Sequence, residues 1–201
     1  MKKIIFTDLD GTLLDGFNYS FKKALPYLKI LKEKKIPVVF CTCKTQAENE
    51  YFQKRLKNNA PFVAENGGAI FIPRNYFSFE IASAAASLLP RNGKTVIKSS
   101  KNYFIIELGE PYKKLRAALN KIKKETGFRI KGFGDMTAKE VAKDSGLSLE
   151  MAKLAKKKKY NESFTLLNNS NRDEIEKEKI LLKKIKKMGF NSTHGGRYYN
   201  I

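Results

Sequence analysis

The chain has little cysteine, no long apolar run and few acids for its number of bases. Among its 201 residues only two are cysteine, Cys41 and Cys43. They stand two positions apart, too close for an ordinary disulfide, and no second pair completes a metal site. Redox chemistry is therefore not expected, and both read as small, half-buried residues at a strand end. No stretch of about 18 apolar residues occurs, so no transmembrane helix is expected. Met1-Lys2-Lys3-Ile4-Ile5-Phe6 places basic residues before an apolar run, but Asp8 ends that run too soon for a signal peptide, and no small-residue cleavage site follows. A cytoplasmic protein with its first buried strand near the start is expected. The single histidine, His194, reads as structural.

Lysine and arginine number 40 against 20 aspartates and glutamates, a formal charge of +20. Blocks such as Lys156-Lys157-Lys158-Lys159 and Lys183-Lys184-Ile185-Lys186-Lys187 carry much of it. Nucleic-acid binding is one reading of such charge, but no nucleic-acid motif accompanies it. Solvated helix faces are the plainer reading, and their field would also draw in anionic, phosphorylated small molecules. The hydrophobic share of 42% is enough for a core. The length suits one domain with a large insertion, or two small ones.

Three short apolar runs open the chain: Ile4–Asp8, Ile36–Cys41 and Pro61–Ala64. Between them lie helical patterns, one following a candidate cap at Ser20 and one over Thr45–Lys57. Strand, helix, strand, helix, strand at these intervals predicts an α/β doubly wound parallel sheet. The pattern then changes. Strands are expected over Ala69–Ile72, Tyr103–Leu108, Arg129–Gly132 and Phe164–Leu167. Helices are expected over Pro111–Thr126, Thr137–Lys143, Ser148–Lys157 and Asp173–Met188. Residues 79–92 read as a linker or hinge. This predicts a core over about residues 1–80, to which 193–201 return, with an α+β cap over 81–192.

Asp8-Leu9-Asp10-Gly11-Thr12 ends the first strand. Carboxylates two apart point to one side at the carboxyl end of a parallel strand, where open α/β sheets bind ligands. Two acids so close call for a cation, and hard oxygen ligands favour Mg2+. Thr42 ends the second strand; its hydroxyl either meets a phosphate oxygen at the helix start or caps that helix. Lys44 is a phosphate neighbour or a surface lysine. Glu65-Asn66-Gly67-Gly68 follows the third strand, either as a phosphate- or substrate-binding turn whose glycines permit close backbone approach or as a plain turn. Arg197, beside Gly195-Gly196, either grips a substrate carboxylate or phosphate or lies on the surface. Asp135 is a second candidate cap for the helix near Thr137.

Asp-x-Asp-Gly-Thr in this position resembles the first motif of phosphatases of the haloacid dehalogenase superfamily. The resemblance implies that Asp8 attacks phosphorus, forming an aspartyl phosphate, while Asp10 protonates the leaving oxygen and then activates water. It implies Mg2+ on Asp8 and on the carbonyl of Asp10, and a phosphoryl contact from Thr42. Gly132-Phe133-Gly134-Asp135-Met136-Thr137, Glu140-Val141-Ala142, Gly146-Leu147-Ser148, Asn66-Gly67-Gly68-Ala69 and Gly195-Gly196-Arg197 resemble mannosyl-3-phosphoglycerate phosphatases. That implies a sugar phosphate substrate, mannosyl-3-phosphoglycerate, and a product, mannosylglycerate, that serves as a compatible solute; the glucosyl compound stays open.

The family pattern continues with a lysine and an acidic metal-binding motif, and neither follows Arg197. The expectation is therefore a truncated core that is weakly active or inactive. Left open beside it are a second chain supplying the missing strands, and a non-catalytic basic binding protein.

Overall fold

The computed structural model describes residues 3–16, 18–76, 96–167 and 171–201, with residues 171–174 described as backbone only. The chain divides into two compact units, Met1–Gly109 and Glu110–Ile201. The hinge expected over 79–92 lies outside the described residues.

In the first unit, β1 (Ile5–Thr7), β2 (Val38–Cys41) and β3 (Phe62–Ala64) pair in parallel. The sheet then turns antiparallel through β4 (Ala69–Pro73), with β5 (Val96–Ser99) and β6 (Tyr103–Glu107) giving the order β1-β2-β3-β4-β6-β5. The apolar runs that signal buried strands supply the core: Phe40, Phe62 and Phe71 are fully buried, and Phe62 stacks on Phe71 with centroids 4.9 Å apart. The register that pairs Phe62 with Phe71 across the antiparallel ladder makes that stack. β1 ends the sheet order, and its Phe6 is 63% exposed.

Two helices connect the parallel strands. Helix α1 (Leu25–Glu33) starts after the expected cap at Ser20, because Pro26 fits only the first turn of a helix. Helix α2 (Gln46–Leu56) starts at a full capping box: Thr45 accepts from the backbone of Glu48, and Glu48 accepts from the backbone of Thr45.

The first unit extends past residue 80, because β4, β5 and β6 continue its sheet and the N–H groups of Leu108 and Gly109 donate to the carbonyl of Gly68. Residues 193–201 do not return to it. They form β9 (Thr193–Gly195) and β10 (Tyr198–Asn200) in the second unit, whose sheet runs β7-β8-β10-β9 with β7 (Ile130–Gly132) and β8 (Ser163–Leu166). Tyr199 pairs with Phe164 there, and burial of both rings fixes the tail to that sheet.

Helices α3 (Tyr112–Thr126) and α6 (Asn171–Lys187) cover one face, with Leu115, Leu119, Ile122, Leu181 and Ile185 meeting Ile130, Phe164 and Tyr199. A smaller cluster joins α4 (Ala138–Ser145) and α5 (Leu149–Ala155) to Phe133 and Met136. Thr137 caps α4, so the alternative cap, Asp135, is released for another task.

That task is an ionic network around buried Glu162. Glu162 is fully buried and accepts from Tyr112 Oη at 2.7 Å, Arg116 at 2.8 Å and the N–H of Gly134 at 2.9 Å. Asp135 accepts from Arg116, from Lys123 at 2.6 Å and from the N–H of Gly132 at 2.9 Å. A Cβ at 132 would collide with the Glu162 carboxylate, and one at 134 would come within 2.6 Å of Arg116, so a larger residue at either position would displace the network. Burial opposes the charge of Asp135, but Arg116, Lys123 and the Gly132 N–H hold its carboxyl well below the usual range.

Two outcomes follow. Phe62→Ala should lower the unfolding free energy in chemical denaturation by about 3–5 kcal/mol, and a loss under about 1 kcal/mol would remove the stacked pair from the core. A depressed carboxyl stabilises fully above its unfolded pKa, and that contribution is lost as pH falls. Wild type should thus lose stability more steeply than Asp135→Asn as pH drops from about 4 toward 2, read from melting curves; parallel slopes would contradict the network.

Candidate active site

The carboxyl ends of β1, β2 and β3 bring together three segments of the first unit. At the end of β1, Leu9 is fully buried while Asp8 is exposed and Asp10 half-buried. This alternation anchors the segment through Leu9 and leaves both carboxylates for the site. The N–H groups of Thr12 and Leu14 both donate to the carbonyl of Leu9, folding the chain back after Gly11.

The parallel register sets Thr7 opposite Phe40, so Asp8 adjoins the segment that follows Cys41. Burial pushes the Cys41 thiol pKa up, and the nearby charge of Asp8 adds to it. Cys41 and Cys43 are not joined in a disulfide. Thr42 is buried, and its Oγ1 accepts from the N–H of Lys44 at 3.3 Å. Its hydroxyl hydrogen remains available for a ligand oxygen beside the start of α2.

The third segment holds Glu65, Asn66 and Gly67 in succession at positive φ, 52°, 56° and 88°. Two non-glycine residues in the left-handed region mark a strained turn. The turn is tied to the second segment: the N–H of Glu65 donates to the carbonyl of Lys44, and that of Asn66 to the carbonyl of Thr42. Glu65 is buried, Asn66 is exposed, and Gly68 is buried against β6 through its carbonyl. Asp8, Asp10, Thr42, Lys44 and Glu65–Gly68 thus share one rim.

Lys44 is not a surface lysine. It is 5% exposed, with Nζ 2.9 Å from Asp10 Oδ1 and 3.8 Å from Glu48 Oε1. Its ammonium lies 5.2 Å from the centroid of Tyr19 and 5.6 Å from that of Phe52. Burial works against this charge, yet the Glu48 and Asp10 carboxylates outweigh it and raise the lysine pKa. Tyr19 sits at φ 57° at the end of a loop in which its N–H donates to the carbonyl of Asp15. Burial and the charge of Asp10 raise its phenol pKa.

Arg197 belongs to the second unit. It turns between β9 and β10 and donates to the carbonyl and to Oδ1 of Asp144, both at 3.0 Å. His194 stacks on Tyr199 with ring centroids 4.2 Å apart. Glu48, Asn49 and Tyr19 were not foreseen. Thr45-x-x-Glu48 carries a visible capping signal, but capping alone does not announce that Glu48 also faces Lys44. Asn49, fully buried, donates to the carbonyls of Lys44 and Thr45 and fixes the loop from behind.

A divalent cation fits this rim. Exposed Asp8 and the carbonyl of Asp10 offer two hard oxygen donors. Among the described residues no group of three histidines, cysteines or acids gathers at one point. That donor set suits Mg2+, which keeps several waters and binds through one or two carboxylates plus phosphate oxygens.

The family model for haloacid dehalogenase-like hydrolases matches residues 5–194. A Methanococcoides burtonii protein named glucosyl-3-phosphoglycerate/mannosyl-3-phosphoglycerate phosphatase is 46% identical over 201 residues, covering 100% of this chain and 67% of that protein. A Persephonella marina protein of the same name is 41% identical, covering 98% and 65%. The chain thus spans about two thirds of the length of these relatives. A haloacid dehalogenase-like hydrolase from Bacteroides thetaiotaomicron superposes with a TM-score of 0.61 at 14% identity, covering 100% of this chain and 70% of that one, a likeness of fold. Among the described residues no helix is long and apolar enough to cross a membrane.

Proposed function

This chain belongs to the haloacid dehalogenase-like hydrolases, and from that premise we propose that it hydrolyses a sugar-bearing phosphate monoester through Asp8. The observation that carries the reading is the placement of Asp8, exposed, beside Asp10, held by Lys44, at the carboxyl end of β1. The substrate class is a hexosyl 3-phosphoglycerate, with mannosyl-3-phosphoglycerate first and the glucosyl compound second. Both appear in the names of the relatives above.

Asp8 Oδ attacks phosphorus, and the bond to the glycerate oxygen breaks. Asp10 gives that oxygen a proton, so the alcohol leaves neutral. Asp10 then takes a proton from water as the water oxygen bonds to phosphorus, and the Asp8–phosphorus bond breaks. Thr42 donates its hydroxyl to a phosphoryl oxygen, and the N-terminus of α2 adds its field. When Mg2+ is bound, it neutralises charge on the phosphoryl group; Asp8 and the carbonyl of Asp10 would hold it. The rigid turn at Glu65–Gly67 keeps the Thr42 segment in place through its two backbone hydrogen bonds. The positive field of the chain favours approach of an anionic substrate.

Phosphate release from mannosyl-3-phosphoglycerate with Mg2+ tests this. Asp8→Asn should lower kcat/KM by more than about 10³-fold. Thr42→Val should lower it by about 10–100-fold. Unchanged release in Asp8→Asn would overturn the proposal.

A further inference from the structure

We propose that Lys44 is a positioning residue for Asp10, and that Glu48 sets Lys44 in turn. The inference rests on the phosphatase reading above and gives this rim a built-in support that neither the motif nor the family name assigns.

The geometry is a chain of three charges. Glu48 uses Oε2 to accept from the N–H and the hydroxyl of Thr45, both at 2.9 Å, so the capping box at the start of α2 fixes its orientation. Its other oxygen, Oε1, faces Lys44 Nζ at 3.8 Å. Lys44 Nζ reaches past it to Asp10 Oδ1 at 2.9 Å. Lys44 and Glu48 are each 5% exposed as side chains, whereas Asp10 is 37% exposed. The lysine is thus buried behind the carboxylate, and its ammonium is turned to acids. The rings of Tyr19 and Phe52 flank it.

A lysine that binds substrate phosphate needs its ammonium turned outward. Here the ammonium is spent on orienting one carboxylate. A proton donor works only when its oxygen is held near the leaving group, so the loss of Lys44 should fall on the step that needs the proton.

That distinction gives the test. Single-turnover release of the alcohol would be followed with enzyme in excess, for wild type, Lys44→Met, Glu48→Gln and Asp8→Asn. The substrates are mannosyl-3-phosphoglycerate, whose alkoxide needs a proton to leave, and p-nitrophenyl phosphate, whose phenolate needs little help. Lys44→Met should slow the first by about 10²-fold and the second by under about 10-fold, with little change in substrate affinity. Glu48→Gln should show the same selectivity more weakly. Equal losses on both substrates, or a loss confined to affinity, would overturn the positioning role and make Lys44 a phosphate ligand or a structural residue. Asp8→Asn should release neither alcohol; release there sinks the phosphatase reading and leaves the lysine question to the other variants.

Melting temperatures decide the pairing independently of turnover. Lys44→Met should lower Tm on the order of 10 °C. Adding Asp10→Asn should recover part of that loss, because the stranded carboxylate is removed with its partner. Strictly additive shifts would show that Lys44 does not hold Asp10, and the proposal would fall even for a chain that hydrolyses neither substrate.

Discussion

The ammonium of Lys44, enclosed between the carboxylates of Asp10 and Glu48, is the interaction on which the first unit's rim depends. It joins the turn after β1 to the continuous stretch formed by the loop after β2 and the first turn of α2. A buried charge is tolerable only with its partners in place, and removing one partner typically costs about 3–5 kcal/mol. The arrangement therefore does more than stabilise. Asp10 stands against this ammonium while Asp8 stays exposed, so two acids of one motif receive different environments.

The second unit holds a comparable ionic network. Glu162 is fully buried while Asp135 stays partly open to solvent, and Arg116 answers both. Lys156 closes the other side of the same loop by donating to the carbonyls of Phe133 and Met136. Gly132-Phe133-Gly134-Asp135-Met136-Thr137 is thus a tightly pinned loop, and its glycines mark close approach of side chains rather than freedom. The lysine blocks fit around this core as solvated faces with individual tethers, such as Lys184 to Glu125 at 2.7 Å.

Local signals were legible in the sequence and long-range ones were not. β1, β2 and β3 announce themselves as continuous apolar runs, and α2 and α4 as capping boxes. The Asp8-Leu9-Asp10 motif, Thr42 and the Glu65–Gly68 turn could be placed at strand ends from their spacing. β5 escaped because all four of its residues are exposed and show no alternation. β9 and β10 escaped because Gly195-Gly196 reads as a turn, while pairing with β8 makes the strands. That same pairing draws residues 193–201 into the second unit, a consequence of burying Tyr199 that no local pattern shows. The Lys44–Asp10 pair spans 34 positions, and nothing beside either residue announces the other.

The proposed reaction turns on covalent phosphorylation of Asp8. Acid quench of the chain during turnover of mannosyl-3-phosphoglycerate, followed by mass spectrometry of the peptide holding Asp8, tests it most directly. The account predicts a phosphoryl adduct on Asp8 in wild type, accumulation of that adduct when Asp10 is replaced by Asn and p-nitrophenyl phosphate is the donor, and none in Asp8→Asn. Phosphate release at full rate with no adduct on Asp8, or an adduct on another residue, would contradict it.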